Sequence, residues 1–108
     1  MTILVPANYK DILTASFANP TKLVVIDCKA VWCGPCKAIH PFIKNLSNTM
    51  TNTIFMEVDV EDEDHADTVT QFAVSAMPTF IYMKNGKILE KTMGADQKKI
   101  HETILKHC

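Results

Sequence analysis

The chain has 108 residues, 47% of them apolar and 21% charged, and a formal net charge of −1. That length suits a single domain (residues 1–108) with its own core, and the charge balance gives no general attraction to nucleic acid or anionic membrane. The longest aliphatic run, residues 23–26, falls far short of the roughly 20 apolar residues of a spanning helix, and four cysteines are too few for a disulfide scaffold.

The first ten residues (MTILVPANYK) carry no basic stretch ahead of an apolar core, so no signal peptide is expected and a reducing cytosol is the default. Residues 2–5 are β-prone, and Pro6 ends them. Asn8 is a helix cap with Asp11 three residues on. Tyr9, Ile12, Leu13 and Phe17 then recur at helical spacing until Asn19-Pro20. Residues 23–26 are apolar in succession, as in a strand covered on both faces. The strand runs on through Asp27 and Cys28, whose side chains must face opposite ways. After the loop Trp32-Cys33-Gly34-Pro35-Cys36, an apolar stripe of Ile39, Phe42, Ile43, Leu46 and Met50 marks a second helix, in which Pro41 is expected to cause a kink.

Residues 53–60 read as a further strand. Residues 61–64 are four acids, the pattern of a solvated helix start in which acids complement the dipole; a docking face for a basic partner is the alternative. His65, Val69, Phe72 and Ala73 share a helical face. Segments 77–83 and 87–91 flank Asn85-Gly86, a strong hairpin signal. Gly94 leads to Asp96, an N-cap for a last helix with Ile100 and Ile104 facing inward. The order is β-α-β-α-β-α-β-β-α, an α/β domain in which two crossovers give three parallel strands and the hairpin adds two.

The chemistry concentrates in Cys33-Gly34-Pro35-Cys36. Two thiols separated by two residues, beside a βαβ pattern, are a redox signal, although zinc sites share the spacing. Cys33 would stand at the mouth of the second helix, where free N–H groups and the dipole favour thiolate over thiol. Cys36, one turn in, is placed to attack a mixed disulfide formed at Cys33.

These residues do not stand alone. Asp27 lies six residues before Cys33, and Met77-Pro78-Thr79-Phe80, Lys84-Asn85-Gly86-Lys87 and Gly94 follow at fitting distances. Together with WCGPC they resemble the thioredoxin family over essentially the whole chain. The resemblance implies a thioredoxin fold, with a central five-stranded mixed sheet in the order 1-3-2-4-5 and four flanking helices. It also implies a protein-disulfide reductase in which Cys33 and Cys36 form the redox-active disulfide. Asp27 would be a buried acid whose raised pKa lets it accept the Cys36 proton. Gly34 and Pro35 would tune reducing power, and Pro78 would be a cis-proline against the cysteines. Trp32, Val60, Ala76, Met77, Pro78, Met93 and Gly94 would line the client groove, while for the methionines and Val60 ordinary core packing is the competing role. No bound cofactor or metal is implied. Electrons would come from NADPH through a thioredoxin reductase, and clients would include peroxiredoxins, methionine sulfoxide reductases and ribonucleotide reductase. A cytoplasmic monomer is expected, binding neither nucleic acid nor membrane.

Cys28 and Lys29 depart from the family pattern, which has an aromatic residue and then Trp, Ser, Thr or Tyr. Cys28 reads as a small buried hydrophobe. Its spacing to Cys33 and Cys36 also matches a [2Fe–2S] pattern, with Cys108 as a fourth ligand, but ligands alternating across a strand converge poorly. Cys33, Cys36 and His40 give a zinc set lacking a fourth ligand. His65 reads as a satisfied boundary residue, His101 and His107 as surface, and Cys108 as a terminal bystander with oxidation or intermolecular pairing as the alternative. The competing function is a redox-linked binding module that holds or releases a partner with the state of Cys33 and Cys36.

Overall fold

Residues 23–26 become the centre of the molecule because nothing in them tolerates water. In the computed structural model, which describes residues 3–108, they lead into the fully flanked strand β1 (Val24–Lys29). The other elements are α1 (Tyr9–Ala18), α2 (Gly34–Thr49), β2 (Ile54–Asp59), a 3₁₀ turn (Glu63–His65) running into α3 (Ala66–Gln71), β3 (Thr79–Lys84), β4 (Lys87–Met93) and α4 (Gln97–His107). The sheet order is β2-β1-β3-β4, with β2 parallel to β1 and the other two pairings antiparallel.

Alternation along β1 divides the core into two layers. On one face Leu23 and Val25 pack with Ile39, Ile43 and Leu46 of α2, Phe55, Phe80, Tyr82, and Ile100 and Ile104 of α4. On the other, Val24, Ile26 and Cys28 meet Ile12 of α1, Met56, Val58, Phe72, Ile81 and Met83. Full burial of side chains of this size contributes about 1.5–3 kcal/mol each. This is what fixes the register of β1 and so the point at which the chain leaves it.

The expected fifth strand is a correction. The described part of residues 2–5 makes a single parallel bridge, Leu4 to Met56, and Thr2 lies outside the described residues. Leu4 N–H donates to Phe55 O and Glu57 N–H donates to Leu4 O, both at 2.9 Å. Pro6, two residues on, has no N–H to carry the ladder further. Among the described residues the sheet therefore has four strands, with Leu4 pairing outside β2 at the place the order 1-3-2-4-5 gives the first strand.

Local chemistry sets the ends of the elements. Asn8 Oδ1 accepts from Asp11 N–H at 3.0 Å and caps α1. Asp96 Oδ1 accepts from Lys99 N–H at 3.1 Å and caps α4. Asn85 and Gly86 both have positive φ (51° and 74°), as a tight hairpin turn of the I′ kind requires. The helix α2 continues through Pro41. Asp62 Oδ1 accepts from Asp64 N–H at 2.9 Å, so one of the four acids caps the 3₁₀ turn.

His65 is buried and fully bonded. Its Nδ1 lies 2.9 Å from Thr68 Oγ1 and its Nε2 2.8 Å from Pro6 O. It ties the N-terminal segment to α3, which is a structural role. Replacing it by Ala leaves a cavity and orphans both partners, so His65→Ala should lower stability by about 3 kcal/mol in urea denaturation while leaving the reactivity of Cys33 unchanged.

Candidate active site

β1 ends at Lys29, and the chain turns through Ala30, Val31 and Trp32 to reach α2. Cys33 occupies the N-cap with extended backbone (φ −81°, ψ 112°), and its Sγ accepts a hydrogen bond from Cys36 N–H at 3.2 Å. A sulfur in this position takes a partner from the free N–H groups of the first turn and faces the positive end of the helix. Pro35 falls in that turn, where its missing N–H costs nothing. Cys33 and Cys36 are joined by a disulfide, with their Cα atoms 5.3 Å apart.

The pair is sheltered: Cys33 is 4% exposed and Cys36 3%. Both pack with Ala30, and Val60 and Met77 lie partly buried against them. Met77–Pro78 is a cis peptide. Pro78 O accepts from Gly94 N–H at 2.8 Å, and Met93 stands opposite Thr79 across β3 and β4, so the β4 end is tied to the 76–78 segment. Ala76 is exposed and its carbonyl accepts from Thr79 Oγ1 at 2.5 Å. Trp32 (64% exposed) and Met93 (60% exposed) present apolar surface to solvent. Of the residues singled out from the sequence, Val60 and Met77 pack against the disulfide, while Pro78 and Gly94 are joined to each other through the backbone.

Asp27 and Cys28 leave β1 on opposite faces, as alternation demands. Asp27 is on the α2 side, 2% exposed, and its Oδ1 has no hydrogen-bond partner among the described residues. Burial pushes its pKa up to about 7; the Lys29 ammonium opposes the rise and the Glu57 carboxylate adds to it. Cys28 is fully buried in the other layer. Burial, reinforced by Asp27 and countered by Lys91, raises its thiol to about 12, so it stays protonated and inert. Cys108 is exposed at the far end of α4, on a cavity that Leu23 and residues 49–53 also line.

Two features were not found from the sequence. Glu57 stands opposite Asp27 in the β1–β2 register, and its Oε2 lies 3.0 Å from Lys29 Nζ and 4.0 Å from His40 Nδ1. A cavity of about 280 Å³, lined by Lys29, Ala30, Val31, Cys36, Lys37 and His40, opens beside Cys36. The i, i+2 spacing of Asp27 and Lys29 could have signalled a shared face, but the register with Glu57 is a tertiary fact. Among the described residues no group of three or more His, Cys, Asp or Glu is arranged to hold a metal, and no helix is long and apolar enough to cross a membrane.

A sheltered disulfide at a helix N-terminus, with an unpartnered buried acid on the strand before it, defines a thiol–disulfide oxidoreductase on an α/β scaffold. The thioredoxin family profile matches residues 1–106. The chain is 43% identical to Thioredoxin H1 of Arabidopsis thaliana over 91 residues, 83% of this chain and 78% of that protein. It is 46% identical to thioredoxin of Gallus gallus over 83 residues, 77% of each chain. The structure of Fasciola hepatica thioredoxin superposes with a TM-score of 0.92 at 34% identity, covering 98% of this chain and all of that one. The chain belongs to the thioredoxin family, and its activity is that of a protein-disulfide reductase.

The raised Asp27 pKa has a stability consequence. The carboxyl ionises near 3.8 in the unfolded chain and near 7 in the folded one, so the unfolded state sheds its proton first and folded stability falls between those values, then levels off. Asp27→Asn should match the parent at pH 4 and exceed it by about 4 kcal/mol above pH 8, as read by denaturant unfolding of the oxidised protein at the two pH values.

Proposed function

We propose that Cys33 is the attacking residue, Cys36 the resolving residue and Asp27 the proton acceptor between them. The Cys33 thiolate attacks one sulfur of a client disulfide, forming a Cys33–client mixed disulfide and releasing the other client sulfur as a thiolate. Cys36 then attacks the Cys33 sulfur, which closes the Cys33–Cys36 disulfide and frees the second client thiol. The client gains two electrons, and the pair loses two. The observation that carries this reading is the capping bond: Cys33 Sγ, not Cys36, receives the free N–H of the first turn. The same bond and the same dipole favour a negative charge on that sulfur once the pair is reduced.

Cys36 sits one turn in and must lose its proton to act. Asp27, held near neutrality by burial, is a suitable base at cellular pH. The acid is protonated below about 7 and ready to accept above it, so release of the mixed disulfide rises with pH through that value. Gly34 and Pro35 shape the loop and set its reducing power. Trp32, Val60, Ala76, Met77, Pro78, Met93 and Gly94 form the surface that holds an extended client strand beside Cys33. Exposed apolar side chains supply area there, and main-chain groups of the 76–78 segment supply hydrogen bonds.

The electrons come from NADPH through a thioredoxin reductase. The clients are oxidised proteins such as peroxiredoxins, methionine sulfoxide reductases and ribonucleotide reductase, and the protein acts as a cytoplasmic monomer. An insulin-reduction assay with NADPH and thioredoxin reductase tests the assignment. Turnover should fall to background in both Cys33→Ser and Cys36→Ser. The Cys36→Ser protein should accumulate a covalent adduct with its client, and Cys33→Ser should form none. An adduct trapped by Cys33→Ser would reverse the two roles, and redox-dependent binding without turnover would replace the reductase by a binding module.

A further inference from the structure

Lys29 stands where β1 gives way to the active-site loop, on the same side of the strand as Asp27. Alternation along β2 puts Phe55 and Glu57 on that side too, and the register sets Glu57 directly opposite Asp27. Two carboxyl groups facing each other across a ladder in an apolar layer repel when both are charged. Lys29 answers this arrangement with a contact of 3.0 Å from Nζ to Glu57 Oε2, both side chains partly covered. The same oxygen lies 4.0 Å from His40 Nδ1, contributed by α2. Lys29 and His40 both line the cavity of about 280 Å³ that reaches Cys36. The charge pair therefore occupies the boundary between the buried carboxyl and solvent.

We propose that Lys29 is a positioning residue for the proton step: by neutralising Glu57 it fixes the charge that Asp27 meets when Cys36 gives up its proton. The inference rests on Asp27 being the proton acceptor. The remaining groups around that carboxyl leave the task to this pair. Asp59, opposite Lys29 in the register, accepts from Glu61 N–H at 2.9 Å through Oδ1, and Lys37 and His40 line the cavity wall from α2. Tyr82 of β3 bonds Thr92 Oγ1 at 2.9 Å and is raised to about 12, so it carries no charge at neutral pH. Leu23, Val25, Phe80, Ile100 and Ile104 fill the rest of the layer. Burial is the main cause of the raised Asp27 value, with Lys29 lowering it and Glu57 raising it, so the two members of the pair act in opposite directions.

The test is a titration of the Asp27 carboxyl in full-length protein by carbon-13 NMR, run beside the pH profile of insulin reduction. Lys29→Met removes the cation nearest Glu57, leaving only His40 at 4.0 Å, and should raise the midpoint by about one pH unit. Glu57→Gln leaves the cation alone and should lower it by a similar amount, the double variant should return near the parent, and Lys29→Arg should keep the parent midpoint. The rate profile should follow each shift, and in an Asp27→Asn background neither substitution should move it. A merely structural contact would alter stability in one sense for both single variants without opposed shifts. Midpoints that stay put, or that move together, overturn the role of Lys29. An Asp27→Asn protein with the parent rate profile overturns instead the proton-acceptor reading beneath it, a failure the NMR titration does not share.

Discussion

One hydrogen bond organises this protein's chemistry: the Cys33 sulfur, as N-cap of α2, accepts from Cys36 N–H. Capping groups are usually oxygens, because the first turn of a helix offers unpaired donors and a positive field. Placing a sulfur there turns a structural requirement of the helix into a means of stabilising thiolate. β1, the residues that follow it and α2 hold that sulfur at that spot. β1 is buried on both faces and cannot slide without exposing Leu23 and Val25 or Val24 and Ile26. The anchored strand delivers Ala30 to the underside of the disulfide, and Ile39 and Ile43 pin α2 to the sheet behind it.

The same strand distributes two reactive side chains by parity. Asp27 faces the layer containing α2 and is a strained occupant of it, buried with an unpartnered oxygen. Cys28, one residue on, faces the other layer and behaves as an apolar filler whose proton is held more tightly than usual. An acid in such a layer lowers folded stability as pH rises from its unfolded to its native pKa, a cost of the kind that functional sites carry and the surrounding core offsets. Lys29 and Glu57 sit on the rim of that cost, where the strand meets the solvent-facing cavity.

Much of this was legible from residue order. The aliphatic run before Asp27 announced a doubly covered strand, Asn8 and Asp96 announced helix starts, and Asn85-Gly86 announced the hairpin; each rests on local chemistry that acts wherever the chain lies. Residues 2–5 read as a strand, but the described residues 3–5 form one bridge, since pairing length depends on what the neighbour offers and on Pro6 stopping the run. The site was legible as far as a motif carries: the spacing of Cys33 and Cys36, and the parity of Asp27 and Cys28. The charge cluster was not, because Lys29, Glu57 and His40 come from three elements and meet only through strand register and helix docking. His65 reads from the sequence as a satisfied boundary residue, yet its bond to Pro6 O spans 59 positions and no sequence pattern reports such a partner.

The central claim is that the sulfur capping α2 is ionised near neutrality while an ordinary cysteine, with a pKa of about 8.5, is not. The direct measurement is the rate of iodoacetamide alkylation of Cys33 in the reduced protein from pH 5 to 10, with Cys36 replaced by Ser and Cys108 blocked or replaced. The rate should reach half its limit at least about one pH unit below that of an ordinary free cysteine. A Cys33 that alkylates with the midpoint of an ordinary free thiol would contradict it.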